Sequence, residues 1–309
     1  MSDDSQPQTS AGFVAILGAP NAGKSTFVNK AVGAKVSIVS PKVQTTRTRV
    51  LGILIQDGAQ ILFVDTPGIF QPRRRLDRAM VASAWGSAGD ADVIVLMIDA
   101  ERGLDSNSRG IIEGLLKRRE EKPKAPAPVL ALNKVDIAKK TALLALTQEL
   151  NDLELFSDVF MISALTGDGV DDLVAFCAAR MIPGPWLFPE DQISDMPARL
   201  LAAEVTREKL YMQLHQELPY AATVETETWT EQKDGSIKIE QVIFVERDSQ
   251  KAIVLGKRGS RIKEIGAASR HELEDMFETR VHLFLFVKVR EKWGDDPERY
   301  RDWGLDFNA

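Results

Sequence analysis

The chain is poor in the residues that carry much of enzyme chemistry. It has one cysteine and three histidines in 309 residues. A single thiol excludes an internal disulfide framework, and the neighbours of Cys177 in VAFCAARM read as the apolar face of a helix, a core position. His215, His271 and His282 all lie in the C-terminal part, so the first half has no imidazole base of its own. No run approaches the roughly 18–20 apolar residues of a membrane span. The N-terminus, MSDDSQPQTS, is polar and acidic, unlike a signal or transit peptide, and a cytoplasmic protein is expected. Positive charge is also short: 39 Lys and Arg stand against 45 Asp and Glu, a net charge of -6. That excludes a general polyanion coat and confines any nucleic-acid contact to a local patch.

What is present is an alternation of strands and helices. GFVAILGAP is a short apolar run ending in glycine, and AGKSTFVNKAVG after it is helical. VLGILIQ and AQILFVDTPG are strand-like runs joined by Asp57-Gly58, a hairpin signal. DVIVLMIDA, VLALNKVD and DVFMISA read as buried strands, with helices near SNSRGIIEGLLKRRE, KTALLALTQELNDLE and GVDDLVAFCAARM. This predicts an α/β domain with a doubly wound, mostly parallel sheet and one antiparallel edge strand. Ligands on such sheets sit at the carboxyl ends of the strands. The expected organisation is a flexible N-terminus over 1–11, the α/β domain over 12–182, a proline-rich linker over 183–197, and a small α+β domain with a C-terminal tail over 198–309.

The motifs fall at those strand ends. Gly18, Ala19, Pro20, Asn21, Ala22, Gly23, Lys24 and Ser25 fit the G-x-x-x-x-G-K-[ST] phosphate loop between a strand and a helix, with Thr26 following. Its backbone N–H groups and the helix N-terminus suit a β-phosphate. Lys24 would reach the β- and γ-phosphates, and Ser25 would ligand Mg²⁺. Asn133, Lys134, Val135 and Asp136 choose the base. A carboxylate at Asp136 accepts from both N1–H and the 2-amino group of guanine, whereas adenine would leave it unpaired. The Lys134 stem would cover a face of the base, and in Ser163, Ala164 and Leu165 the Ala164 N–H would meet guanine O6. Asp65, Thr66, Pro67, Gly68 and Ile69 end another strand. Asp65 would hold Mg²⁺ through a water and the Gly68 N–H would sense the γ-phosphate. Gln44, Thr45, Thr46, Arg47 and Thr48 form a candidate switch, with Thr46 as a further Mg²⁺ ligand. The expected ligands are GTP or GDP with Mg²⁺, and Lys24, Thr46, Gly68 and Asn21 are the candidate catalytic groups.

The second domain opens with an amphipathic helix, ARLLAAEVTREKLYMQLHQEL, and two strands around Lys233-Asp234-Gly235. Gly256, Lys257, Arg258, Gly259, Ser260, Arg261 and Lys263 then gather positive charge in an otherwise acidic chain, followed by a helix and a last strand, VHLFLFVKVRE. Two glycines admit a sugar-phosphate backbone and the basic residues neutralise phosphates. The order resembles a type II KH domain, whose GXXG loop clamps about four nucleotides of single-stranded RNA. DSQKAIVL reads as a strand from its β-branched residues, but the resemblance makes it a short helix.

Together, the five nucleotide motifs and the GKRG loop resemble the bacterial ribosome-assembly members of the TrmE-Era-EngA-YihA-Septin-like GTPases. The likeness runs from about Gly12 to Lys292. It implies a slow P-loop GTPase that binds 16S rRNA near its 3′ end during 30S subunit maturation, a monomer with some inner-membrane contact. It also places Ile69 where other GTPases keep a water-positioning glutamine, so backbone groups around Thr46 and Gly68 would hold the water. Related GTPases with Asn at the position of Asn21 bind K⁺. Two other readings stand: an RNA adaptor with a structural nucleotide, and a membrane-linked signalling GTPase.

Overall fold

The computed structural model describes residues 9–42, 45–214 and 221–309. Gln44 and His215 lie outside the described residues, as do positions 1–8 of the N-terminal segment. The chain divides into two compact units. One holds Met1–Ser37, Thr46–Asp195 and Tyr300–Ala309, the other Ile38–Thr45 and Met196–Arg299.

The first unit is built on strands β1 (Ser10–Gly18), β2 (Val50–Gln56), β3 (Ala59–Asp65), β4 (Val93–Asp99), β5 (Val129–Asn133) and β6 (Val159–Ile162), in sheet order β2-β3-β1-β4-β5-β6. Among these six strands every pair is parallel except β2 with β3, the hairpin across Asp57-Gly58. Both turn residues take positive φ, 52° and 82°, as a tight primed turn requires. β3 and β4 are buried at every position, which is why they read as continuous apolar runs rather than alternating ones. Helices α1 (Lys24–Val32), α2 (Arg75–Asp90), α3 (Ser106–Glu121), α4 (Lys140–Asn151) and α5 (Val170–Ala178) fill the crossovers. Cys177 is buried in the cluster formed by α1, α5 and β1, and burial pushes its thiol up to about 12.

Three parts of this unit differ from the sequence expectation. Helix α2 has no counterpart in the sequence reading, because its buried side is largely Ala79, Ala84 and Ala88 with Leu76 and Met80, a stripe of little contrast. Its start is nonetheless marked: Asp77 accepts from the N–H groups of Arg73 and Arg74 at 3.0 Å each. The flexible terminus expected over 1–11 does not extend to its last two residues, since Ser10 and Ala11 pair antiparallel with a short strand β7 (Ile182–Pro183). The linker is not a free spacer. Buried Gln60 accepts from the Leu187 and Phe188 N–H groups and donates to the Phe188 carbonyl. The Ile53 N–H donates to Ile193 O at 2.9 Å, and the Leu51 N–H to Asp195 Oδ1 at 3.0 Å. The segment thereby covers the outer edge of β2, which would otherwise present unpaired backbone.

The tail also departs from expectation. Tyr300–Ala309 belongs to the first unit, where Arg75 of α2 lies 4.2 Å from the Phe307 ring centroid and Arg78 donates to the Ala309 carbonyl.

The second unit packs α6 (Ala198–Gln213), α7 (Asp248–Leu255) and α8 (Ser260–Phe277) on a sheet of β8 (Ala222–Glu231), β9 (Ile237–Val245) and β10 (Val281–Val289). The order is β10-β9-β8, with β10 parallel to β9 and β8 antiparallel. DSQKAIVL is the helix α7. Its Val254 is buried, and Gln250 accepts from the Glu246 and Arg247 N–H groups, an N-terminal cap that the β-branched residues concealed. Val281, Leu283, Leu285 and Val287 face the helices, and a last helix, α9 (Pro297–Asp302), follows.

Candidate nucleotide site and candidate RNA interface

The phosphate loop runs from the end of β1 into α1. Gly18 and Gly23 have φ of 157° and 98°, and Asn21 has φ 64°, backbone that lets the loop curl tightly. A side chain at Gly23 would place Cβ 2.1 Å from Asn133 Nδ2, and one at Gly68 would come within 2.9 Å of Pro20 Cα. These two glycines are therefore required by contact between loops. The Ile69 N–H donates to Gly18 O at 3.1 Å, tying the DTPG segment to the phosphate loop.

Lys24 is buried and donates to the carbonyls of Gly18 and Ala19 at 3.1 and 3.0 Å. Burial lowers its pKa to about 8, against the raising effect of Asp65. Asp65 is fully buried at the end of β3, and Oδ2 accepts from Ser25 at 2.7 Å, Ser37 at 2.6 Å and Thr46 at 3.3 Å. Burial raises its pKa, opposed by the Ser25 and Ser37 hydroxyls and by Lys24. Among the described residues its Oδ1 has no hydrogen-bond partner. Ser25, Thr46 and Asp65 thus converge as a set of hard oxygen donors around an unmet buried carboxylate oxygen, a donor set that fits Mg²⁺. Ser37 belongs to this group too; nothing in its local sequence marked it.

The candidate switch divides. Thr46 joins Ser25 through a 2.9 Å hydroxyl contact, whereas Thr45 turns to Ser40 at 2.7 Å. In the second unit, the Val39 N–H donates to Glu208 Oε1 at 2.7 Å, and Arg207 donates to the Thr45 carbonyl. Arg47 and Thr48 are buried, so neither is an exposed contact. Thr66 is equally internal: its hydroxyl donates to Ile16 O at 2.7 Å, an anchor for the strand rather than a group facing a nucleotide.

The base-side motifs meet as expected, with two corrections. Asn133, at the end of β5, donates from Nδ2 to Ala22 O at 2.8 Å and accepts at Oδ1 from the Ala164 N–H at 2.9 Å. It joins the phosphate loop, NKVD and SAL in one buried knot. The Ala164 N–H, expected to meet guanine O6, is committed to that knot. Lys134 has φ 68° and its ammonium lies 2.6 Å from Asp99 Oδ2, so the charge is held by a carboxylate on β4 that the motifs did not include. Asp136 and Leu165 are exposed, and the Ser163 hydroxyl is buried and accepts from the Thr166 N–H.

In the second unit, Gly256 has φ 70°, and a Cβ there would lie 2.7 Å from Arg261 Cβ. Gly259, with φ 75°, caps α8. Lys257 and Arg258 are exposed, and Ser260 and Lys263 lie in the first turn of α8, at the helix's positive end, where anions are favoured. Arg261 does something else: its guanidinium donates to Ile253 O at 3.3 Å, bracing α7 against α8. A groove of about 340 Å³ runs beside the loop, between Ile262, Lys263, Ala267 and Arg270 of α8 and Leu283–Leu285 of β10. Arg270 was not picked out by sequence reasoning, since it lies well along the helix from GKRG.

The fold and these loops define a P-loop GTPase carrying a KH domain. The family of 50S ribosome-binding GTPases matches residues 13–134, and the KH domain family matches 217–294. The chain is 60% identical to GTPase Era of Sinorhizobium medicae over 99% of both chains, and 60% identical to that of Brucella suis over 97% of this chain and 94% of the other. The structure of a point variant of Aquifex aeolicus Era bound to GDP and AlF4⁻ superposes with TM-score 0.88 at 40% identity, covering 96% of this chain and 99% of that one. A structure of Era with MgGDPNP and nucleotides 1506–1542 of 16S ribosomal RNA matches equally well. The chain belongs to the Era family and is a GTPase, converting GTP and water to GDP and phosphate.

Proposed function

We propose that this chain is a GTP-switched RNA-binding protein that engages 16S rRNA near its 3′ end and assists assembly of the small ribosomal subunit. The observation that carries the switch is the buried cluster in which Asp65 collects Ser25, Ser37 and Thr46 while Oδ1 stays unpaired. Ser25, Thr46 and Asp65 are the groups that would hold Mg²⁺, Asp65 through a water. Held by them, Mg²⁺ would supply positive charge against the phosphate oxygens. Lys24, with its pKa lowered to about 8 by burial, gains a phosphate as partner and exchanges its two loop carbonyls for it. The Gly68 N–H and Thr46 position water, because Ile69 is not equipped to. Asn21 offers a place for K⁺. Asp136 reads guanine, the exposed pair Lys257 and Arg258 meets RNA phosphates, and Gly256 lets the backbone approach.

The relative solved with MgGDPNP and a 16S rRNA fragment supports this reading of nucleotide and RNA together. A cytoplasmic monomer with a peripheral inner-membrane contact completes the proposal; no helix among the described residues is long and apolar enough to cross a membrane. The test is crosslinking in cells followed by sequencing of the bound RNA, comparing wild type with a hydrolysis-deficient variant. Enrichment of the 3′ end of 16S rRNA that changes with the nucleotide state is expected. Equal enrichment in both proteins favours an adaptor with a structural nucleotide, and no RNA enrichment with recovery on membranes favours a signalling GTPase.

A further inference from the structure

The outer face of the second unit's sheet carries two aromatic rings that the GKRG loop does not use. Residues alternate along β10, so His282, Phe284, Phe286 and Lys288 point away from the helices that bury Val281, Leu283, Leu285 and Val287. Phe284 and Phe286 are 47% and 49% exposed. Such a pair on an edge strand is a feature that natural sheets avoid, since it invites pairing with another chain. The neighbouring strands are covered: Arg299 stacks 4.7 Å from the Phe244 ring centroid and pairs with Glu225. That cover leaves Phe284 and Phe286 half in water.

We infer that Phe284 and Phe286 form a base-stacking step for single-stranded RNA leaving the groove beside the GKRG loop. Continuity is the first support, because Phe284 lines that groove together with Leu283 and Leu285, and Phe286 lies two residues further along the same face of β10. Length is the second: a GXXG loop clamps about four nucleotides, so a longer strand has to cross this edge or turn away from it. Charge is the third. Lys238 Nζ lies 5.5 Å from the Phe284 ring centroid, and Lys288 follows Phe286 on the same face. Each of these lysines is paired with a glutamate, Lys238 with Glu240 and Lys288 with Glu227. The face is therefore near neutral, which suits the flat surface of a base better than a run of phosphates. The two rings are separated by two residues of strand, roughly 6.6 Å, so they take splayed bases rather than a continuous stack.

This inference rests on the RNA reading above, and the experiment separates the two. Full-length wild type, Phe286→Leu and Phe286→Tyr, changed at the ring that does not line the groove, are titrated with a four-nucleotide and a twelve-nucleotide RNA, the longer one carrying 2-aminopurine outside the clamped segment. Stacking is worth about tenfold or more in affinity per base. Wild type should bind the long RNA at least tenfold more tightly than the short one, with a fluorescence change at 2-aminopurine. The leucine variant should lose both while keeping its affinity for the short RNA, and the tyrosine variant should retain both. Thermal melting confirms that each variant is folded. Equal affinity of wild type and the leucine variant for the long RNA overturns the inference and leaves the groove reading intact. Equal loss on both RNAs means that β10 only shapes the groove, and also overturns it. No binding of either RNA by wild type overturns the RNA reading itself. Loss of a ribosomal-protein contact by the leucine variant, with RNA binding unchanged, assigns the face to a protein.

Discussion

Replacing Asn133 by alanine should disconnect the nucleotide site at the knot that joins its loops. The side chain is buried at 2% exposure and makes two bonds, to the Ala22 carbonyl and from the Ala164 N–H. Alanine leaves both backbone partners unmet in a dry setting, at about 1.5 kcal/mol per bond, or roughly 3 kcal/mol together. In a domain of this size each kcal/mol moves Tm by about 2–4 °C. The nucleotide-free protein should therefore melt about 6–12 °C lower. Because Ala22 lies in the phosphate loop and Ala164 in the SAL loop, a fluorescent GDP analogue should also bind much more weakly. Asn133→Asp separates the two bonds: Oδ1 still accepts from Ala164, but an oxygen now faces the Ala22 carbonyl. It should lose stability on the phosphate-loop side alone. A Tm change under about 2 °C in Asn133→Ala, with GDP affinity unchanged, would refute the claim that this side chain ties the three loops together.

Asp136→Asn should shift preference from GTP toward xanthosine triphosphate, because the amide donates where xanthine offers a carbonyl; competition titrations that keep the GTP preference would remove Asp136 as the reader. Exchanging Na⁺ for K⁺ should raise the GTPase rate, and Asn21→Gly, which keeps the positive φ, should abolish the increase; equal rates in both salts leave Mg²⁺ and Lys24 as the charge stabilisers. Lys257→Glu with Arg258→Glu should eliminate binding to single-stranded RNA while GTP binding persists. Salt titration of weaker single substitutions should lower the slope by about 0.7 per lost phosphate contact; unchanged RNA affinity in the folded double variant would discard the loop as the contact. Cys177 should resist thiol reagents at pH 8 until the protein unfolds. Its folded pKa of about 12 lies above the ordinary 9.0, so the unfolded state releases the proton first and stability falls as pH rises from 9 toward 12. A urea midpoint that drops no faster over that range than in Cys177→Val contradicts the burial argument.

The strands of the first unit were legible because burial on both faces writes itself as uninterrupted apolar runs, and the motifs could be placed because each run ends in one. Helix α2 was not legible, since the alanines on its buried side give little contrast with the exposed Ala82, Gly86 and Gly89. The linker was legible as irregular but not as bound. Gln60, a polar residue inside the buried strand β3, was the local clue: its amide needs partners, and Leu187 and Phe188 supply them. The tail's membership in the first unit depends on Phe307 meeting Arg75, residues far apart in the chain, which no local pattern encodes. Ser37 and Asp99 were missed for the same reason. Each is an ordinary residue made functional by a distant partner, Asp65 and Lys134 respectively.

Ile69 is the case where the sequence posed the right question and packing answers it. Its side chain is 7% exposed and sits in the cluster with Leu17, Ala84, Ala88, Leu96 and Ile98, against the same alanine face of α2. Its backbone N–H is bound to Gly18 O. The residue therefore serves the core through its side chain and the phosphate loop through its amide, and neither role leaves it available to a water. A glutamine with this orientation would bury an amide among alkyl groups, at a cost of about 1–3 kcal/mol unless it found partners. To reach solvent it would have to abandon the contact with α2. The hydrophobic residue is thus coupled to the alanine stripe opposite it, and on the proposed reading backbone groups and cations supply what a side chain does in other GTPases.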